Sequence, residues 1–363
     1  MNKKSGKKTA VAVMAAVVFL MSIYCTVSRL PRSFSQEESL CMAAGLAMPV
    51  SNTVSDDSDD NNDKTSKNES LKAESATKPE SATKPESDKK DNKKTAKTKT
   101  YGGEAYPVIE NQYGTPGEIT LKNTTDFDID IDYELSQPLG FEIKKTDEPQ
   151  VLIVHTHTTE AYLQEDNGVY YSEYTGRSTD DSENITSAGR AMADSLTKNG
   201  IKALHSTTHH DDPSYNGSYD RSAQTIYEYL EKHPSIKVII DFHRDSLGYG
   251  GEDGKIKPTF ELNGEKAAQI MIMSGYDPDG EYDFSGWEDN LRLALRIQQK
   301  AEQLYPGMTR PLYFGDFAYN MNINSGSLLI EVGTEVNTLD EACRTGELLG
   351  NVLAQVLNEV KSE

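Results

Sequence analysis

An apolar run, Val151-Leu152-Ile153-Val154, leads directly into His155-Thr156-His157-Thr158-Thr159-Glu160. His157 and Glu160 are spaced to offer an imidazole and a carboxylate to one divalent cation from a single turn. A second run, Val238-Ile239-Ile240, leads into Asp241-Phe242-His243 and offers another imidazole. Zinc suits two imidazoles and a carboxylate, with a fourth position left for water. Water bound to zinc has a pKa of roughly 7. A third run, Ser327-Leu328-Leu329-Ile330, ends in Glu331. A glutamate there is costly to bury unless it is paired or catalytic. It reads as the base that would take the water's proton and later hand it to a leaving amine. All seven histidines fall between positions 155 and 243, which concentrates the chemistry in that segment.

The residues alone leave alternatives open. On an extended strand His155 and His157 share a face, so one binds the metal and the other supports it. His157 is favoured, being nearer the loop and properly spaced from Glu160, and His155 then reads as a core histidine. The third ligand is Glu160, or a carboxylate just before the first long helix, Asp180, Asp181 or Glu183, with Glu160 capping a turn. Arg244 reads either as a holder of an oxyanion or substrate carboxylate or as a structural partner of Asp245. His205, His209, His210 and His233 read as solvated.

The elements that must position these residues follow from periodicity. Four consecutive apolar residues indicate a strand buried on both faces. Such strands are expected at 151–154, 235–243 and 327–333, with a short one at 201–204. Amphipathic helices are expected at 185–198, 219–232, 287–304 and 338–361, the first capped by Asn184 or Ser182 and stopped by Asn199-Gly200. Thr259–Leu262 and Ala267–Ser274 suggest a hairpin. Strands alternating with helices imply an α/β fold, a mostly parallel sheet with helices on both faces. In it the carboxyl ends of the strands share one rim, where such sheets bind ligands. His157, His243 and Glu331 would meet there.

The chain has 363 residues and a net charge of -21. That charge excludes nucleic acid as the natural partner, since phosphate contact needs a basic face. Three cysteines, Cys25, Cys41 and Cys343, with no CxxC pair, exclude a cysteine zinc site and a disulfide framework. Residues 1–8 hold four lysines and precede an uncharged apolar stretch at 9–27. That stretch reads as an uncleaved single-pass anchor, amino terminus cytoplasmic and the remainder extracytoplasmic. Residues 28–100, with a tandem Glu-Ser-Ala-Thr-Lys-Pro repeat, have the composition of a disordered linker. Residues 101–148 alternate in a β-like way, strictly so from Phe127 to Tyr133, and form a β-rich lead-in to the domain at 149–363.

His155 to Tyr162, the block Asp241 to Ser246, Tyr319-Asn320, Leu329 to Gly333 and Asn337-Thr338-Leu339 together resemble the stage II sporulation protein P family. The resemblance covers residue 101 to the carboxyl terminus. It implies an enzyme related to zinc-dependent N-acetylmuramoyl-L-alanine amidases, with His157 and His243 as zinc ligands and Glu331 catalytic. The wider amidases place the glutamate ligand near Asp180 to Glu183, whereas His-x-x-Glu is similar to the zinc carboxypeptidases. Arg244 and Asn337 are the candidate substrate-binding residues, and the resemblance further implies cleavage of peptidoglycan during forespore engulfment. It also implies cross-link endopeptidase activity and stage II sporulation protein D as a partner. The competing readings are a zinc peptidase of carboxypeptidase type and a catalytically dead binding module.

Overall fold

The computed structural model describes residues 101–362. Its frame is a seven-stranded sheet. Leu121–Asn123 (β2), Val151–Val154 (β4), Ala203–His205 (β6), Val238–Asp245 (β7), Ile270–Gly275 (β10), Leu312–Gly315 (β11) and Ser327–Thr334 (β12) lie in the order β2-β11-β10-β12-β7-β4-β6. Every pairing is parallel except β10 with β12. The expected parallel core is therefore β12-β7-β4-β6, and the sheet reverses direction at β10.

The two faces of this sheet are covered differently. Ile185–Lys198 (α2), Trp287–Leu304 (α4) and Leu339–Glu359 (α5) pack on the face that carries Val151, Ile153, Ile240, Phe242, Ile330 and Val332. Ser218–Lys232 (α3) packs on the opposite face, where Ile226 meets Leu152, Val154 and Ile239. Met192 and Leu196 of α2 are fully buried, each contributing roughly 1.5–3 kcal/mol relative to exposure. α2 lies close to α5 because α5 presents Gly346 and Gly350. A β-carbon on Gly346 would come within 2.3 Å of the Ala188 carbonyl oxygen. Asn184 caps α2 through the Thr186 amide, and Thr338 with Glu341 forms a reciprocal capping box on α5.

A second sheet, in the order Val169–Tyr171 (β5), Ala105–Asn111 (β1), Lys255–Leu262 (β8) and Glu265–Ala268 (β9), joins the lead-in to the domain. Ile143–Lys144 (β3) pairs with Lys361–Ser362 (β13). Lys257 of β8 is fully buried. Its ammonium lies 2.8 Å from Asp166, 3.0 Å from Glu110 and 3.0 Å from Glu341, so one cation ties a loop, β1 and α5 together.

Two expectations need correction. Phe127 to Tyr133 is not a strand: Asp130 caps a short helix, Ile131–Ser136 (α1), by accepting from the Tyr133 amide at 3.0 Å. Phe127, Ile129 and Ile131 still pack on the core, so the alternation reported burial and not strand geometry. The expected second hairpin strand is two strands broken at Gln269. β9 completes the hairpin with β8 and β10 joins the main sheet. Gln269 bonds the Tyr113 backbone and the Gly307 carbonyl at the break. The expected anchor at 9–27 and linker at 28–100 lie outside the described residues. Among the described residues no helix is long and apolar enough to cross a membrane.

Candidate active site

Three adjacent parallel strands deliver the site. Glu331 on β12 pairs in register with His243 on β7. β4, on the other side of β7, ends at Val154 and turns at once, carrying His157 and Glu160 back over the strand ends. Because the strand stops there, the alternation rule does not reach His157. His155 continues towards α2, where it meets Gly189 and His205. His157 turns towards α3 and stacks on Tyr215 with ring centres 4.3 Å apart. Its ring lies 5.3 Å from that of His243, at right angles.

His157 is largely buried, and burial pulls it down to about 4, with Glu160 opposing and His243 assisting. It is therefore neutral at pH 7, with a lone pair available. Glu160 Oε2 sits 3.7 Å from His243 Nδ1 and accepts the Arg244 amide at 3.0 Å. Arg177 stands 3.7 Å from Glu160 Oε1 and pairs with Asp211 at 2.9 Å. Burial would raise Glu160, but His243, Arg177 and Arg244 hold it below the ordinary carboxylate range.

His243 is enclosed by carboxylates. Its Nε2 lies 2.9 Å from Asp241 Oδ1, yet off the line of a hydrogen bond, leaving that nitrogen without an aligned partner. Burial would lower its pKa; Asp241, Glu160 and Glu331 outweigh this and push it up to about 10. Asp241 is fixed by the Thr156 amide at 2.8 Å and the Thr156 hydroxyl at 2.6 Å, and Thr156 in turn touches Ser222 of α3. Glu331 is half-buried, with its Oε2 inaccessible to water and unpartnered. Burial first, then the neighbouring Asp245, push its carboxyl well above the usual range, against the pull of His243 and Arg310. Arg310 pairs with Asp245 at 2.7 Å, from the start of β11.

The donor set has the chemistry of a zinc site: a neutral imidazole, a second imidazole with an unpartnered nitrogen, and an ionised carboxylate, surrounded by negative charge. The pull that would protonate His243 is the pull a cation would feel there. The side chains are not closed on one point, and among the described residues no group of three or more His, Cys, Asp or Glu is arranged to hold a metal ion.

The alternate ligands are engaged by other groups. Asp180 is exposed and accepts from Ser182, Glu183 accepts from Ser178 at 2.8 Å, and Asp181 pairs with His209 at 2.8 Å. Arg244 does not pair with the Asp245 carboxylate and is not open to a substrate. Its guanidinium donates to the carbonyls of Ala161, Gly176 and Asp245, and it lies 3.8 Å from Glu335. Asn337 is fully buried, accepting the Thr334 amide and donating to Pro258 and Glu341, so it builds the turn after β12. Two histidines read as solvated are not. His210 is 1 % exposed and bonds the His155 carbonyl. His205 Nε2 lies 2.8 Å from His155 Nε2. His155 Nδ1 faces the Phe242 carbonyl at 2.8 Å, so that nitrogen carries the proton and Nε2 accepts from His205. His155 is thus a neutral core histidine, with burial bringing it down to about 3.

Asp241 carried a readable signal, being two residues before His243 on a strand and hence on its face. Arg310 and Tyr219 had none, since they reach the site through the fold.

A family model described as stage II sporulation protein P (SpoIIP) matches residues 31–354. The chain belongs to the SpoIIP family. Stage II sporulation protein P of Bacillus subtilis (strain 168) is 26% identical over 221 residues, 58% of this chain and 51% of that protein. The chain thus aligns over about half the length of this curated relative. Among solved structures, this SpoIIP chain is similar to the N-acetylmuramyl-L-alanine amidase Ami1 of Mycobacterium abscessus. The identity is 13% over 59% of this chain and 99% of that one, with a TM-score of 0.34. It is also similar to an N-acetylmuramoyl-L-alanine amidase of Clostridium difficile 630, at 18% identity over 59% and 97% of the two chains and a TM-score of 0.32. Scores of this size do not establish a shared fold.

Proposed function

We propose that this SpoIIP-family protein is a zinc-dependent peptidoglycan hydrolase that cleaves the amide between N-acetylmuramic acid and L-alanine. The observation that carries the reading is the meeting of His157, Glu160, His243 and Glu331 at one sheet rim, from segments far apart in sequence. His157, Glu160 and His243 would hold the zinc, which supplies an acidified water and polarises a carbonyl when bound.

The remaining work belongs to the chain. Glu331, half-buried and with an unpartnered Oε2 shielded from water, takes a proton and returns it to the departing amine nitrogen. Asp245 and Arg310 set the charge beneath it. Asp241 orients the His243 ring from below, and Thr156 fixes Asp241. Tyr215 and Tyr219 wall the imidazoles.

In this reading the apolar stretch at 9–27 anchors the protein and the hydrolase works outside the membrane on the wall of the engulfing compartment. Stage II sporulation protein D would act on the denuded glycan. Cleavage of peptide cross-links is a second activity of the same site, since His157-x-x-Glu160 brings its carboxylate to His243 as a peptidase site would.

The test is a digest of purified sacculi by the full chain with zinc, read by mass spectrometry. Peptide-free glycan and intact stem peptides are expected. Products cut only within peptides, with every stem still attached to sugar, would leave the peptidase reading and overturn the amidase one.

A further inference from the structure

A row of aromatic rings leaves the site across the α3-side face of the main sheet. Tyr219, at the start of α3, stacks over His243 at 6.4 Å and over Tyr319 at 5.4 Å. Tyr319 stacks on Phe317 at 5.2 Å, and Phe317 meets Tyr313 of β11 at 5.2 Å. Tyr313, Phe317 and Tyr319 rest on Met273 and Leu329, and all four rings of the row remain partly exposed.

The backbone is bent to hold this row. Tyr319 and Asn320 both adopt left-handed conformations, φ 43° and 61°, which residues with a β-carbon rarely adopt. Asn320 secures the bend by donating to the Tyr219 carbonyl at 2.9 Å and the Ser222 hydroxyl at 3.0 Å. The Tyr319-Asn320 pair, which stood out in the sequence, has no part in the chemistry above.

The flank beyond the aromatic row is acidic. The loops beyond the aromatic row carry Asp126, Asp277, Asp279, Glu281 and Asp316, and burial together with these neighbours raises the Asp316 carboxyl. Lys122 lies 4.7 Å over the Tyr313 ring at the row's far end. On the other flank Arg177 sits 5.4 Å over Tyr215, beside Glu160 and Asp211. A stem peptide carries free carboxylates and is repelled by the acidic flank. Uncharged N-acetylated sugars are not repelled, and their C–H faces pack on aromatic rings.

We propose that Tyr219, Tyr319, Phe317 and Tyr313 form the subsite for the sugar rings of the glycan, with the anionic stem peptide leaving on the Arg177 side. This deepens the amidase reading and rests on it for the direction of the substrate.

The test uses the full chain and two unreactive probes, a tetramer of β-1,4-linked N-acetylglucosamine and the free stem peptide, each titrated calorimetrically. The sugar tetramer should bind, and Tyr319→Ala and Tyr313→Ala should each weaken it by about tenfold. Tyr319→Phe should bind like the parent, and the peptide should be indifferent to all three changes. Tyr313→Ala lies on β11, away from the left-handed bend, so it tests the row even if Tyr319→Ala disturbs that loop. Failure of the tetramer to bind, equal binding by Tyr313→Ala and parent, or a loss confined to the peptide would each overturn the subsite. Because binding needs no turnover, the two readings fail separately. Tetramer held on this row with no amide cleavage would sink the amidase reading alone, and cleavage with wild-type binding by both Ala variants would sink the subsite alone.

Discussion

Glu331 of β12 stands directly beside His243 of β7 across a parallel pairing, so an expected base and an expected ligand share one sheet face by register alone. A half-buried carboxyl with one shielded, unpartnered oxygen and a buried imidazole with no aligned partner are neighbours because the two strands are neighbours. The division of labour between them is open to a direct test.

His243→Ala and Glu160→Gln should each lose zinc, by more than the roughly 10–100-fold that an outer-shell change costs in affinity. Glu331→Gln should keep its zinc and lose activity by about 10²–10⁴-fold. Asp180→Asn should change neither. Metal analysis of the purified proteins and release of stem peptides from sacculi read the two properties independently. Full activity in Glu331→Gln would remove the carboxylate from the mechanism.

Lys257 should matter for stability and not for chemistry. Lys257→Met leaves the buried Glu341 and the half-exposed Asp166 and Glu110 without their shared cation, a loss of about 3 kcal/mol. Glu110→Gln, on the exposed side of the cluster, should cost under about 1 kcal/mol. Urea unfolding midpoints compare the two.

The His155–His205 pair predicts acid lability. Burial brings His205 down to about 4 and His155 to about 3. Both folded values lie below that of an unfolded histidine, about 6.5. The unfolded chain therefore takes up protons first. The stability contributed by this pair is complete above about pH 6.5 and falls as the pH drops towards 4. Unfolding midpoints at pH 7 and pH 5 should differ, and His205→Gln should lessen the difference. An unchanged pH dependence in that variant would mean other groups govern it.

Much of the frame was legible in the sequence because local pattern and tertiary role agreed. α2 and α4 begin and end where periodicity and capping put them, and β4 and β12 follow their apolar runs. Failures occurred where a local interaction or a distant partner decided. One aspartate, Asp130, turned an alternating segment into a helix. His157 left the face of His155 because β4 ends at Val154 and the chain turns before strand alternation can reach it. Arg244 looked like a substrate clamp, but the carbonyls that engage it, at Ala161 and Gly176, lie some eighty and seventy positions earlier (|i−j| of 83 and 68). The reversal of β10 had no local signature at all, since a strand's direction is set by its connections.

The lead-in segment carries a consequence for anyone trimming the protein. β1 lines the open side of β8, β2 lines that of β11, and α1 secures α4 through Glu134 and Arg292 at 2.9 Å. A fragment begun at the first histidine strand would present two bare hydrogen-bonding borders to its neighbours in solution, an invitation to sticky self-association. The smallest well-behaved fragment should therefore start near residue 101, well upstream of the first histidine strand.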